Sequence, residues 1–366
     1  MSRDASLDAA RGLLMLLGVF LHAANIYTPG SGWLVADSHT HPVFGWVIHV
    51  LHAFRMPAFF WISGFFTAMV LSRENAGRHV RTRLLRIAGP LVVVWLTVNT
   101  LQQALTAAAT SQTVREFPPP IFHLWFLVDL IVYTLLLQLL FQARRPSPAL
   151  LSRFSSPVVQ LAAFVAGAWF VNLAVRATGF AYKDLAGLTS AFRLVTYLPY
   201  FLLGAWMFRQ RAALDSFNRL GWVAVLAGLA ISLIADPLTT KGPLWQRELA
   251  LLAQLASTIV CIGGLLGVLR RLFRKPSGAS TLLSDSAYTI YLLHHVVVVA
   301  VGLWLLHAAW PAGLKYTVVV GAAISIPLAV HLLCIKRFNW LSWALNGKPL
   351  GAAARPAVRA APGAPL

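Results

Sequence analysis

A cation and a titratable ring are placed to share one face of the first apolar segment. Arg11 and His22 are eleven residues apart, close to three helical turns, so a helix would hold them on one stripe about 16 Å apart. Asp8 precedes Arg11 by three residues and can pair with it, while Gly18 leaves room for a close approach one turn before His22. Histidine has an unperturbed pKa near neutrality. The spacing predicts a passage with an anion-binding end at Arg11 and a titratable imidazole at His22.

A simpler interpretation of the same residues stays open. Arg11 can snorkel to the membrane interface, and His22 can serve only as a hydrogen-bond partner of a neighbouring helix. A charge inside a bilayer costs at least about 2.5–3.5 kcal/mol on insertion scales, so a buried ionisable residue calls for a functional hypothesis. Spacing alone does not decide between the two.

A second arginine lies in the middle of the second apolar segment. Arg55 is just ahead of Pro57, which can loosen a helix, and Ser63 follows about two turns later. A guanidinium at that depth is hard to hydrate, which favours a ligand or catalytic role. The alternative is an internal ion pair with Asp129.

Further histidines and aromatic residues fall in two later segments. His123 and Trp125 are in the fourth segment, and Tyr291, His294 and His295 are in the ninth. Aromatic rings near a membrane surface can stack on sugars, although Trp and Tyr are enriched there in any membrane protein. Two adjacent imidazoles cannot both face lipid easily, so we expect His294 or His295 to line a cavity.

The composition is that of a membrane protein rather than a soluble one. Of the 366 residues, 58% are hydrophobic and 11% are charged, where soluble proteins carry about a quarter charged residues. We predict an all-α polytopic fold with about ten membrane spans, near 7–27, 43–71, 86–109, 121–142, 157–175, 190–208, 219–235, 248–269, 282–306 and 314–335. The first span carries Asp8 and Arg11, so we expect a retained helix rather than a cleaved signal. Residues 1–350 form one domain, and the Ala/Pro-rich stretch 351–366 is expected to be disordered.

The cations of the chain are distributed unevenly between the two sides of such a fold. Three of the 30 Lys and Arg residues fall within spans, namely Arg11, Arg55 and Arg193. Six are on the side opposite the N-terminus, namely Arg115, Arg176, Lys183, Lys241, Arg247 and Lys315, which leaves 21 on the N-terminal side. Short cationic loops stay in the cytoplasm, so both termini are predicted to be cytoplasmic.

Two classes of ligand are disfavoured by the same patterns. The net charge of +19 is spread in short clusters between apolar runs, which argues against a nucleic-acid partner. Cys261 and Cys334 lie in apolar runs without a CxxC or Cys/His spacing, so we predict neither a disulfide framework nor a metal site.

Several stretches together resemble the acyltransferase family 3 membrane proteins. The first helix reads LDAARGLLMLLGVFLH, from Leu7 to His22, and has ten residues between its Arg11 and its His22. Other matching stretches, in chain order, are FRMPAFFWISGFF (54–66), RLLRIAGP (83–90), HLWFL (123–127), YLPYFLLGA (197–205), YTIYLLHH (288–295) and NGKP (346–349). The similarity extends over nearly the whole chain, and it is greatest to members that modify osmoregulated periplasmic glucans.

The resemblance implies a multi-pass enzyme of the bacterial inner membrane, with an active cavity that reaches the periplasmic side. Its expected reaction is transfer of an acyl group, succinyl in the first instance, from cytoplasmic acyl-CoA to hydroxyls of a periplasmic glucan. Acyl-CoA is then a donor substrate, and no permanently bound cofactor is expected; membrane lipid and the glycan are the other partners, and the oligomeric state is left open. Acetylation of lipopolysaccharide or exopolysaccharide sugars is the near alternative. A secondary transporter is the alternative from another class, although the inverted or parallel repeats that transporters commonly show are not evident here.

Roles for individual residues follow from the resemblance. His22 is the expected general base, or else a nucleophile that carries the acyl group, with Arg11 and Asp8 in support. Arg83, Arg86, Arg55 and Ser63 are expected to bind acyl-CoA, whose phosphates favour several cations at the membrane surface. Arg83 and Arg86 can also be ordinary topology signals. The expected acceptor-side residues are His123, Trp125, Tyr291, His294 and His295.

Overall fold

The computed structural model confirms an all-α membrane fold. It describes residues 5–73, 75–109, 117–143, 156–275 and 277–348. In these ranges, ten helical segments are long and apolar enough to cross a bilayer. The stretch 351–366, for which disorder is predicted, lies outside the described residues, as do the two ends of the predicted domain, 1–4 and 349–350.

Thirteen helices and one short hairpin make up the described part of the chain. The helices are α1 (Ala5–Tyr27), α2 (Pro42–Leu71), α3 (Ala76–Leu96), α4 (Val98–Ala109), α5 (Trp125–Ala143), α6 (Pro157–Ala177), α7 (Ala191–Arg209), α8 (Arg211–Phe217), α9 (Trp222–Ala235), α10 (Leu244–Leu272), α11 (Gly278–Leu305), α12 (Ala312–Val330) and α13 (Asn339–Asn346). Short 3₁₀ turns span Phe122–Leu124, Phe180–Tyr182 and Asp236–Thr239, and a π-helical turn, His331–Ile335, extends α12. Strands β1 (Asp184–Leu185) and β2 (Thr189–Ser190) pair antiparallel just before α7.

Helix ends differ from the predicted span limits where polar residues continue the helix. The third span was predicted from residue 86, but α3 begins at Ala76, because the arginine-rich residues before the apolar run are also helical. This span is interrupted at Thr97, so α3 and α4 together form one candidate membrane segment, Ala76–Ala109. Near the start of α11, Ser277 caps the helix in a reciprocal pair of bonds with Ser280, which fixes its first turn. Hydropathy marks the apolar part of a helix and not its capped ends.

Small residues bring the central helices into close contact. A Cβ added at Gly64 of α2 would collide with the carbonyl oxygen of Phe201 in α7, and one added at Gly204 would collide with that of Trp61. Such backbone approach is the usual way helices associate in lipid, where burial of apolar surface gives little driving force. Of the most apolar window of α2, 72% is buried, against 6% for α6, so α2 is central and α6 is peripheral.

Candidate active site

A cavity of about 100 Å³ opens between α1, α2, α5, α7 and α11. Six of the residues singled out from the sequence line it: His22, Arg55, His123, Trp125, Tyr291 and His294. They come from α1, α2, the 3₁₀ turn Phe122–Leu124, α5 and α11. Apolar side chains, among them Leu14, Met15 and Phe59, form much of the remaining wall.

Four imidazole rings meet beside this cavity, and we call them the histidine cluster: His22, His123, His294 and His295. The ring centroid of His22 lies 4.8 Å from that of His295 and 5.3 Å from that of His294. The ring of His123 stacks on His295 at 4.6 Å and meets His294 at 5.1 Å. Helix α11 thus directs both of its adjacent histidines inward, and both are almost fully buried.

His123 is held by Tyr291 in a defined tautomer. Its Nε2 lies 3.0 Å from the carbonyl oxygen of Tyr291, and the Tyr291 hydroxyl donates to the carbonyl oxygen of His123 at 2.9 Å. A carbonyl can only accept, so Nε2 carries the proton and Nδ1 of the neutral ring has the lone pair. That Nδ1 is buried and has no partner in the described part of the chain.

His294 is held in the opposite tautomer, with its proton on Nδ1. Its Nδ1 lies 2.7 Å from the carbonyl oxygen of Tyr291 and 3.0 Å from that of Ile290, so Nδ1 donates and Nε2 has the lone pair. This Nε2 is also buried without a partner among the described residues. The neighbouring His295 ring contacts Gln102 of α4, with 2.7 Å between Nδ1 and Oε1. Backbone and amide groups therefore orient the rings, and two ring nitrogens are left as unused proton acceptors.

Of the four rings in the histidine cluster, His22 has the fewest hydrogen bonds to the described part of the protein. Its Nδ1 is buried and makes no hydrogen bond to any described residue. The indole of Trp33, in the loop between α1 and α2, stacks on the His22 ring at 6.1 Å with an interplanar angle of 24°. An imidazole inside a cavity with an unused nitrogen can accept a proton from a bound hydroxyl.

The side chain of Arg55, on α2, extends into the same cavity. A Cβ added at Gly18 would lie 2.5 Å from Arg55 Nη1 and 3.9 Å from His294 Nε2, so the absent side chain leaves space for the guanidinium. Arg55 Nε is buried without a partner in the described ranges, and no ion pair joins Arg55 to Asp129 there. Asp129 instead accepts a hydrogen bond from Thr189 at 2.6 Å. The alternative of an Arg55–Asp129 ion pair is therefore wrong for this structure.

A second polar group of residues lies outside the lining of the cavity. The predicted ion pair between Asp8 and Arg11 is present, with 3.7 Å between Oδ1 and Nη2. Arg11 is close enough to Arg83 for their charges to repel. Arg83 Nη2 donates to the backbone carbonyl of Ser63 at 3.4 Å, so three elements meet here. Asp8, Arg11, Arg83 and Ser63 thus cluster near the opposite end of α1 from the histidine cluster.

Arg86 is exposed one turn beyond Arg83. The backbone of Arg86 is covered closely by Gly347, in the NGKP stretch, where a Cβ would collide with it. Gly347 has φ of 59°, a conformation that favours glycine, and it ends α13. The fold therefore places the RLLRIAGP and NGKP stretches against each other at this end of the bundle.

Some residues at the site were not predicted from the sequence, among them His52 and Tyr197, which line the cavity, and Gln102 and Trp33, which contact the histidine cluster. Gln102 is an uncharged polar residue in an apolar run, and its complete burial is a signal that such a residue has an internal partner. Trp33 is in a connecting loop and has no pattern that marks it. Among the described residues, no group of three or more His, Cys, Asp or Glu side chains is arranged to hold a metal ion.

Comparison with known proteins identifies one family over most of the chain. The family model described as an acyltransferase domain, of the acyltransferase 3 type, matches residues 4–333. Similar curated proteins include glucans biosynthesis protein C of Escherichia coli (strain K12) and of Shigella dysenteriae serotype 1 (strain Sd197). Each is 25% identical over 376 aligned residues that cover 95% of both chains. No solved structure matches this chain.

Proposed function

The chain belongs to this acyltransferase family, and we propose that it moves an acyl group from a cytoplasmic acyl-CoA to a hydroxyl of a periplasmic glycan. The observation that supports this most directly is the position of His22, in a cavity lined by Arg55, with an unused ring nitrogen beside three further imidazoles. The histidine cluster and the arginines near Arg11 lie towards opposite ends of α1. Such a division suits a donor and an acceptor that arrive from opposite sides of a membrane.

His22 acts as the general base of the transfer. It accepts the proton of the acceptor hydroxyl as that oxygen bonds to the thioester carbon, and the carbonyl oxygen becomes an oxyanion. Arg55 donates hydrogen bonds to the oxyanion, in a site where little water competes. The carbon–sulfur bond then breaks, and the coenzyme A thiolate takes the proton from His22. A variant route passes through an acyl-histidine and has the same products.

The donor is held at the end of α1 that carries Arg11. Arg83 and Arg86 supply cations for the phosphates of coenzyme A, while the Asp8–Arg11 pair and Ser63 shape the passage towards the cavity. Two guanidiniums that repel each other, as Arg11 and Arg83 do, are stabilised when an anion binds between them. Binding of an anion explains why these two arginines lie close together, which a role as topology signals does not.

The orientation follows from the cations of the loops. Short loops on the N-terminal side are much richer in Lys and Arg, which supports both termini in the cytoplasm and the histidine cluster towards the periplasm. The similarity to bacterial glucans biosynthesis protein C supports the inner membrane as the location and a glucan as the acceptor. His123, Trp125, Tyr291, His294 and His295 then form the acceptor side of the cavity.

The acyl group is proposed to be succinyl, and acetyl is the alternative. A succinyl donor has a distal carboxylate that needs a cation, and Arg193 is suitably close, since its Cζ lies 4.9 Å from the ring centroid of the cavity residue Trp125. Purified protein offered labelled succinyl-CoA or acetyl-CoA identifies the donor directly. If succinyl is the substrate, Arg193→Met lowers kcat/KM for succinyl-CoA more than for acetyl-CoA.

The function is tested by comparing glycans from cells that make native protein and the variant His22→Ala at equal expression. Mass spectrometry is expected to show acyl groups on the glycan with native protein and their loss with the variant. His79→Ala is the matched control, because His79 is exposed on α3, does not line the cavity, and hydrogen-bonds the backbone carbonyl of Asn75, the N-cap of α3. Equal acyl incorporation with His22→Ala would remove His22 from catalysis. If cells or vesicles receive labelled acyl donor and the label crosses the membrane without becoming covalently attached to a glycan, a transporter is favoured instead.

A further inference from the structure

A fully buried ion pair joins the loop between α1 and α2 to the start of α12. Lys315 Nζ lies 2.7 Å from Asp37 Oδ2, and both side chains are 0% exposed. The other carboxylate oxygen of Asp37 accepts a hydrogen bond from the backbone N–H of His39 at 2.7 Å. A buried charge without its partner is strongly unfavourable, so this pair permits one position of the loop and disfavours others.

The loop on either side of Asp37 is tied to the end of α1. The backbone N–H of Asp37 donates to the carbonyl of Ile26 at 3.1 Å, and that of His41 donates to Tyr27 at 2.9 Å. Val35 is 3% exposed, and a Cβ added at Gly302 of α11 would lie 3.6 Å from it. The loop therefore docks on α1 through backbone hydrogen bonds, on α11 through a small apolar contact, and on α12 through the buried ion pair.

Trp33 is the loop residue that this docking presents to the histidine cluster. Its ring stacks on His22 and meets the ring of His295 edge-on at 5.4 Å. It is four residues before Asp37, and its backbone N–H also donates to the hydroxyl of Ser31 at 3.4 Å, which in turn donates to the carbonyl of Asn25. Trp33 thus covers the histidine cluster at the end of the bundle that carries this loop.

We propose that Asp37 and Lys315 are positioning residues that hold Trp33 as a cover over His22 and so keep water from the acyl donor. The inference rests on the proposed acyl transfer. Without the cover, a water oxygen bonds to the thioester carbon, His22 takes one water proton and returns it to the departing thiolate, and the products are free acid and coenzyme A. Exclusion of water from a closed site prevents this type of side reaction.

The first test measures two reactions of the purified full-length protein. Lys315→Met, Asp37→Asn and Trp33→Ala are each expected to raise the ratio of donor hydrolysis to glycan transfer about tenfold, because all three open the same cover. Glu248→Gln is the matched control, since Glu248 pairs with Arg176 at 2.8 Å between α10 and α6, away from the cavity. Loss of general stability lowers both reactions together, so an unchanged ratio in Lys315→Met would overturn the proposal.

The second test does not depend on acyl transfer. His22→Cys, in protein whose Cys261 and Cys334 are replaced by alanine, is labelled with a membrane-impermeant thiol reagent added from the outside. Adding Lys315→Met is expected to speed labelling about tenfold, while adding Glu248→Gln leaves it unchanged. Equal labelling rates would overturn the cover even if transfer were intact. If native protein transfers no acyl group, the proposed function fails, and the labelling rates still decide the role of the pair.

A double variant that removes both charges is used if either single variant folds poorly. Asp37→Asn with Lys315→Met leaves no unpaired charge in the interior, so it is expected to express better than either single variant. It also lacks the ion pair, and the proposal requires the same faster labelling of His22→Cys. If the double variant folds and its His22→Cys is labelled at the native rate, the remaining loop contacts are enough to hold Trp33, and the proposal is wrong.

Discussion

Tyr291 and His123 hold each other through two hydrogen bonds that run in opposite directions. The phenol of Tyr291 donates to the backbone of His123, and the imidazole of His123 donates to the backbone of Tyr291. The two residues are 168 positions apart in the sequence. This lock joins the turn that precedes α5 to α11, and it fixes which nitrogen of His123 carries the proton.

Removal of the Tyr291 hydroxyl is therefore expected to affect both stability and transfer. Tyr291→Phe leaves a buried carbonyl without its donor, which costs about 1–3 kcal/mol, and allows the His123 ring to move. Thermal unfolding in detergent and the rate of glycan acylation measure the two effects. Tyr288→Phe is the control, because its buried hydroxyl has no partner in the described structure, and its loss should leave both quantities near native. Equal effects of the two substitutions would contradict the lock.

Gly18→Ala is expected to separate activity from stability. The new Cβ would lie 2.5 Å from Arg55 Nη1, so the guanidinium must leave its place, and acyl transfer should fall at least about tenfold. Alanine favours a helix over glycine by about 1 kcal/mol, so the unfolding temperature should not fall in parallel. Gly321→Ala in α12, where a Cβ meets no atom within 4 Å, serves as the control. Native activity in Gly18→Ala would show that the position of Arg55 is not critical.

Arg55→Lys is expected to lower kcat about 10²-fold with a small change in KM. Lysine retains the charge but loses the planar set of N–H donors that can meet an oxyanion. Steady-state kinetics with a saturating glycan acceptor measure the effect. Arg209→Lys is the comparison, because Arg209 lies at the end of α7, against the ring of Phe141 at 4.2 Å, and does not line the cavity. A fall in kcat/KM caused by KM alone would assign Arg55 to binding instead of chemistry.

Arg83→Gln is expected to raise the KM for the acyl-CoA donor about tenfold and to change kcat little. The reason is the loss of one cation from a phosphate-binding group that lies outside the catalytic cavity. Arg81→Gln is the control, since Arg81 is exposed on the same helix two residues away. Equal donor KM values for the two variants would leave Arg83 as a topology signal only.

The membrane fold could be predicted from the sequence because each span carries its own signal. A bilayer requires about 20 apolar residues per helix, and hydropathy reports this requirement segment by segment. The Asp8–Arg11 pair was predictable for a similar reason, because a helix alone places residues three apart on one face. The early start of α3 at Ala76 was not predictable in this way, because the helix includes the arginine-rich residues that precede the apolar run.

What the tertiary structure alone decided is which polar residues meet. Nothing local to His22 indicates that His123, His294 and His295 surround it, that Gly18 makes room for Arg55, or that Trp33 folds back over its ring. Likewise, the sequence identified Lys315 only as one of six cations on the side opposite the N-terminus, and the packing of α12 against the loop pairs it with Asp37. Spans and short-range pairs follow from forces that act within one helix, whereas the site depends on contacts between helices, which the pattern of a single segment does not contain.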